Sequence, residues 1–245
     1  MKLRTPGSKH SQQGFSLIEL LAVVLLLSVT VGGLMSQISL VQQRSRGEQT
    51  KLDIFQESRD FVDQFVRDAH QTGYPSAHMF DTSSWTVAPA SPIYTDTRLA
   101  GGITLIGPSE IKFEGDVEGD GNVDVVDYKL APTGNNCPCL QRSAVDKTSG
   151  TTVFSNEVQN VQNAGTTADP IFVGYTGSGT AVTSADLTTL ANQQTLATIK
   201  IVLIRIKTKA NTVDPQTLQA PESTLSGQVT IVNCSLAATG QSNSC

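Results

Sequence analysis

Residues 14 to 35 read GFSLIELLAVVLLLSVTVGGLM, and only one of them, Glu19, carries a charge. A helix over Phe15 to Met35 rises ~1.5 Å per residue and so reaches about 30 Å, the thickness of a bilayer's hydrocarbon core. A carboxylate in such a span costs up to ~2.5–3.5 kcal/mol at mid-bilayer and less near an end, so its presence asks for a role. Lys2, Arg4 and Lys9 precede the run with no acidic residue among them. By the positive-inside rule that end stays in the cytoplasm and the chain after the run goes outward.

A secretory signal peptide would show a basic start, an apolar stretch and a small-residue cleavage site. Glu19 fits that pattern poorly, and no clear A-x-A follows the run. A plain single-pass anchor leaves Glu19 without a function. A third arrangement accounts for both Gly14 and Glu19. The stretch Gly14-Phe15-Ser16-Leu17-Ile18-Glu19, behind a short basic leader, resembles the cleavage signature of type IV prepilins and the related pseudopilins. The resemblance implies that a prepilin peptidase cuts after Gly14 and methylates the new amine of Phe15. Glu19 then lies one turn into the mature helix, where the dipole favours negative charge. In a filament packed through apolar helices, the amine of a neighbouring subunit can meet that carboxylate in a medium of low dielectric. The implied partners are other pilins, the peptidase and the inner-membrane assembly machinery. The implied location is the inner membrane, N-terminus cytoplasmic and C-terminal domain periplasmic, and then the pilus or cell surface.

Past Met35 the pattern turns amphipathic without a proline. Leu52, Phe55, Phe61, Val62, Phe65, Val66 and Ala69 recur at near-helical intervals, with Arg59, Asp60, Asp63, Arg67 and Asp68 on the other face. This stripe reads as a helix packed on a core. Gly73-Tyr74-Pro75 should end it, since glycine takes the left-handed position and proline cannot continue the ladder. The chain thus divides into a basic leader (1–14), a membrane or filament-core helix (15–38), an amphipathic half-helix (39–73) and an exported β-rich domain (74–245). The fold class is α+β, a long helix packed on an antiparallel sheet. The same plan is implied by the pilin resemblance, although the run from Phe15 to Gly73 lacks the proline of many major pilins.

From residue 76 the composition shifts to Thr, Ser, Gly, Val and Asn. Strands are predicted at Gly102–Ile106, Ile111–Phe113, Val123–Leu130, Leu140–Ser143, Ile171–Tyr175, Ile199–Ile206 and Gln228–Val232, with loops at 81–98, 143–170 and 208–226. The stretch FEGDVEGDGNVDVVDYKL, residues 113 to 130, supports two arrangements. As a calcium loop, Asp116, Glu118, Asp120, Gly121, Asp124 and Asp127 occupy positions 1, 3, 5, 6, 9 and 12. The twelfth is Asp rather than a bidentate Glu, and the third is the longer Glu. As a hairpin, Ile111–Glu114 and Val126–Leu130 alternate as strands about a Gly-Asp-Gly turn. A bound ion would be structural in either case. The hairpin and the strand after it also resemble the globular region of W-type minor pilins and J-type pseudopilins.

The four cysteines all lie in the exported part, where disulfides persist. Cys234 with Cys245 is the favoured pair, closing a short C-terminal loop. Cys137 and Cys139 could bridge, stay reduced or pair elsewhere. Their C-x-C spacing suits zinc poorly. A net charge of -5 over 245 residues gives no general nucleic-acid footprint. His10, His70 and His78 form no H-E-x-x-H, G-x-S-x-G does not occur, and no nucleophile, base and oxyanion donor can be assembled. The resulting expectation is a non-enzymatic minor subunit of a type IV pilus. The alternatives are a type II secretion pseudopilin and a membrane-anchored periplasmic binding module.

Overall fold

The structure is a computed structural model describing residues 16–76, 85–88, 90, 93–134, 137–148, 150–214 and 217–232. By its internal contacts the chain separates into Met1–Arg46 and Gly47–Cys245. Helix α1 runs Leu17–His70, 54 residues without a proline. It stops where expected. Gly73 takes a positive φ of 79°, and its N–H donates to the Glu114 carbonyl at 2.8 Å, which ties the helix end to a strand.

Beyond α1 the strands form two antiparallel sheets. The first has the order β1-β2-β3-β4-β5, from β1 (Ile103–Ile106), β2 (Glu110–Gly115), β3 (Asp124–Ala131), β4 (Cys139–Asp146) and β5 (Ser155–Val158). The second has the order β7-β6-β8-β9, from β6 (Phe172–Thr176), β7 (Ala181–Val182), β8 (Ile199–Lys209) and β9 (Glu222–Thr230). A short helix α2, Leu190–Ala197, leads into β8, and the side chain of Thr189 caps it by accepting from the Asn192 N–H.

From Phe61 onward the apolar stripe of α1 is core, whereas Leu52 and Phe55, read as part of it, are exposed. Phe61 and Phe65 meet the ring of Tyr128 edge-on at 5.4 and 5.2 Å, and Phe65 lies 5.7 Å from Phe172. The helix therefore touches the first sheet at β3 and the second at β6. Around these rings Ile111, Phe113, Leu140, Ile171 and Ile204 are fully buried. Burying a side chain of this size stabilises by roughly 1.5–3 kcal/mol, so the aromatic contact between helix and sheets is a main source of stability.

Two expected loops are partly strand. The stretch 143–170 contains the end of β4 and all of β5, and 208–226 contains the end of β8 and the start of β9. Of the missed pieces, β5 and β9 are polar because they are edge strands. In β9 the residues alternate between exposed and half-buried until Val229, so Ser and Thr replace the apolar face that identifies an inner strand. Cys137 and Cys139 are bonded to each other, which settles the arrangement left open for them. Cys234 and Cys245 lie outside the described residues.

Candidate functional site

Gly14 and Phe15, the expected processing pair, lie outside the described residues. The helix behind them begins at once. The Ser16 carbonyl accepts from the N–H groups of Glu19 (3.0 Å) and Leu20 (3.1 Å). Glu19 is the acidic residue of the first turn. Its neighbours are apolar and exposed, Leu17 by 78%, Ile18 by 76% and Leu20 by 60%, and the mean hydropathy over the span reaches 2.4. The hydroxyls of Ser28 and Thr30 donate to the carbonyls of Leu25 and Leu27, each at 2.8 Å. Those polar groups are satisfied within the helix and can enter hydrocarbon. Glu19 is the ionisable group that remains.

The acidic stretch forms a hairpin. Gly115 pairs with Asp124 and Glu110 with Lys129, so residues 116 to 123 make the turn. The Asp116 carboxylate accepts three N–H groups of that turn, from Gly119 (2.7 Å), Asp120 (3.1 Å) and Gly121 (3.0 Å). Asp124 accepts from Val117 at 3.1 Å, and burial pushes its carboxyl above the usual range. Asp120 holds Asn122 through its N–H and amide, both at 2.8 Å. Asp127 is not part of the turn. It sits in β3 and pairs with Lys112 of β2 at 3.1 Å. The positions of the calcium-loop pattern are thus not brought together. Strand pairing sends the twelfth residue across to Lys112, while Glu118 meets Asp124 through its backbone N–H. Among the described residues no three His, Cys, Asp or Glu side chains are placed to hold a metal ion.

Residues 9–35 match the family model of the prokaryotic N-terminal methylation motif. The match supports a type IV prepilin-like protein. Such a motif implies processing by prepilin peptidase and assembly with other pilins, and it suits a chain held in a membrane by its apolar helix. A comparison with curated proteins gave no match.

Two buried ionic clusters were not legible as such in the sequence. At the end of α1, the Asp68 carboxylate accepts from the Tyr128 hydroxyl (2.6 Å), from Arg142 Nε (2.7 Å) and from Gln64 Nε2 (2.6 Å). Burial, followed by the adjacent Asp68 charge, pushes the Tyr128 phenol far above its ordinary value. Glu114 of β2 pairs with Lys147 at 2.7 Å and accepts from the Gly101 N–H at 2.7 Å. Lys147 also donates to the carbonyls of Tyr94 and Leu99, at 2.7 and 3.0 Å. Each carboxylate is occupied by cations and donors that fix an element in place, which is a structural use of charge rather than a catalytic one. The helical periodicity places Asp68 on the face opposite the apolar stripe, yet it is buried. Charge alone cannot tell a solvated residue from one aimed at a partner far along the chain.

Proposed function

We propose that this protein is a minor structural subunit of a type IV pilus, cleaved after Gly14, N-methylated at Phe15 and assembled through its apolar helix. The carrying observation is the methylation motif over residues 9–35. It is supported by a helix with an exposed apolar surface and one ionisable group at its start. An unpartnered apolar surface of that length needs lipid or other helices around it. Glu19, one turn in, answers the freed amine of the adjoining subunit and sets its axial position. The outer unit favours a minor subunit over a repeated shaft subunit because it is large and rich in loops. The sequence holds neither H-E-x-x-H nor G-x-S-x-G, which supports a role in assembly rather than catalysis.

The same motif serves pseudopilins of type II secretion systems, and the two assignments share every step up to filament identity. A periplasmic module on a plain anchor is the competing class. Mass spectrometry of the native N-terminus separates it. N-methylated Phe15 as the first residue supports filament assembly, and an intact Met1 overturns it.

A further inference from the structure

The second sheet carries a cleft apart from the groups already described. Thr176 of β6 pairs with Ile199 of β8, which brings the β6–β7 turn (176–180) beside the end of α2. Between them opens a cleft of about 770 Å³, within the roughly 300–1,000 Å³ of small-ligand sites. Its lining is mostly hydroxyl. Thr176, Ser178 and Thr180 line it from the turn, and Thr195 and Thr198 from the helix. Among the described residues around it none is acidic, and Lys200 is the one base. The stem of Lys200 adds apolar surface, since a Cβ on Gly177 would lie 3.7 Å from its Cγ.

A hydroxyl has one hydrogen to give and lone pairs to receive with. Thr195 spends its hydrogen on the Ala191 carbonyl at 2.9 Å, and Thr198 on the Thr195 carbonyl at 2.7 Å. What both still offer is lone pairs, so the helix wall of the cleft accepts. The C-terminal end of α2 behind them adds partial negative charge. The turn wall behaves differently. Thr176 Oγ1 and Ser178 Oγ lie 2.9 Å apart, and Ser178 Oγ and Thr180 Oγ1 3.3 Å apart. Either member of each pair can be the donor, so this chain of hydroxyls can turn a hydrogen toward a ligand or receive one from it.

A ligand that suits these walls brings donors to the helix side and either kind of group to the turn side. A full positive charge finds no carboxylate there, and a full negative charge faces the acceptors and the helix end. An added peptide strand needs a sheet edge, and β7, the edge on this side, has only the residues Ala181–Val182. We propose that the cleft binds a neutral saccharide. Sugar hydroxyls donate to Thr195 and Thr198 and exchange hydrogen bonds with the Thr176, Ser178 and Thr180 chain, while ring C–H faces rest on Val182 and the Lys200 stem. The site asks nothing of Phe15 or Glu19, so it stands or falls apart from filament assembly.

The test uses the full chain in a phosphocholine detergent, whose headgroup carries no sugar, and reads binding by saturation-transfer NMR. The probes are maltotriose, cellotriose and triacetylchitotriose, with trigalacturonate as the anionic comparison. Transfer to at least one neutral trisaccharide, with affinity lowered about fivefold by Thr195→Val and by Thr198→Val and unchanged by Thr224→Val on the exposed flank of β9, is the expected result. Valine keeps the branched shape and removes the lone pairs. If valine disturbs α2, Ser184→Trp at the exposed rim obstructs the cleft by bulk and should abolish transfer instead. No transfer to any neutral probe overturns the proposal. Transfer that survives the valine variants and Ser184→Trp, an equal loss in Thr224→Val, or transfer to trigalacturonate alone overturns it as well.

Discussion

Asp68 of α1 and Tyr128 of β3, sixty residues apart in the chain, share a hydrogen bond of 2.6 Å in the interior. Arg142 of β4 completes the cluster, 2.7 Å from the same carboxylate oxygen and 3.1 Å from the phenol. The end of the helix is thereby held to two neighbouring strands by directional bonds as well as by ring packing. Removing the acid strands a guanidinium and a buried hydroxyl, so Asp68→Ala should destabilise by about 3 kcal/mol. Tyr128→Phe leaves Asp68 with Arg142 and Gln64 and should cost only ~1 kcal/mol. Urea unfolding of both variants gives the comparison. A larger loss for Tyr128→Phe would show that the phenol, not the ion pair, organises the cluster.

Asp96 and Glu114 should bend the pH dependence of stability in opposite directions. The Asp96 carboxylate accepts from Arg98 Nη2 at 2.7 Å and Nε at 2.9 Å, and from the Ala90 N–H at 2.9 Å. Above all the Arg98 hydrogen bond holds it well below the usual aspartate value of 3.8. Its contribution is present above that value and is lost as pH falls below it toward the lowered one. For Glu114, burial raises the carboxyl above the usual 4.5, against the pull of Lys147 and the Gly101 N–H. The folded state then binds that proton more tightly. Its contribution is full below 4.5 and is lost as pH rises through the raised value. Thermal melts across pH should show Asp96→Asn flattening the acid limb and Glu114→Gln flattening the slope above 4.5. Unchanged profiles would mean that neither group titrates differently on unfolding.

Gly115 allows the last turn of the helix to lie against the β2–β3 hairpin. A Cβ there would come within 2.3 Å of the Gln71 carbonyl oxygen and 2.7 Å of its carbon, both backbone atoms. Gly115→Ala should therefore destabilise by about 3 kcal/mol, in the range of overpacked cores. Gly177→Ala, whose Cβ would find only the Lys200 side chain at 3.7 Å, should stay within ~0.5 kcal/mol. Chemical denaturation of the pair is the check. Equal effects would mean that the helix end yields without cost.

What the sequence made legible was what periodicity carries. The apolar run, the Phe61–Phe65 stripe and the Gly73–Pro75 stop each rest on a few neighbouring residues, and α1 follows them to within a few positions. The inner strands β3 and β8 alternate clearly for the same reason. Edge strands do not. The exposed flank of β9 has only to be polar, so Ser223 to Ser226 look like a loop. Helix α2, Leu190–Ala197, is too short to show a repeat. The links from Asp68 to Arg142 and from Glu114 to Lys147 depend on which strands are neighbours, information that local pattern does not contain. Asp127 illustrates the converse. Its spacing from Asp116 suits a cation loop, yet strand pairing delivers it to Lys112.

The acidic turn should need no ion. Asp116 is already supplied with three N–H donors, and Asp127 is matched by Lys112. A structural calcium present at a hundred times its Kd would add ~2.7 kcal/mol to stability. Melts with calcium and with a chelator should superimpose. A rise in Tm with calcium, together with heat in calorimetric titration, would restore the loop as a metal site. Asp116→Ala should cost ~1–2 kcal/mol with or without the ion, because the donors of the turn lose their acceptor.

Glu19 carries the sharpest consequence of the proposed assembly. The helix hydroxyls nearby are satisfied by their own backbone, so insertion does not depend on this side chain, and removing a charge from the span eases entry into lipid. In the filament, the same change leaves a neighbour's amine without its counter-charge in a medium that screens poorly, the costly outcome for a buried pair. Glu19→Ala should leave membrane fractionation intact and lower recovery in sheared fibres by about tenfold, which corresponds to ~1.4 kcal/mol. Glu19→Gln keeps the size and loses the charge, so it should behave like alanine. Fibres with undiminished variant content would remove the electrostatic pairing from the account, and a variant absent from the membrane fraction would place the role of Glu19 in insertion instead.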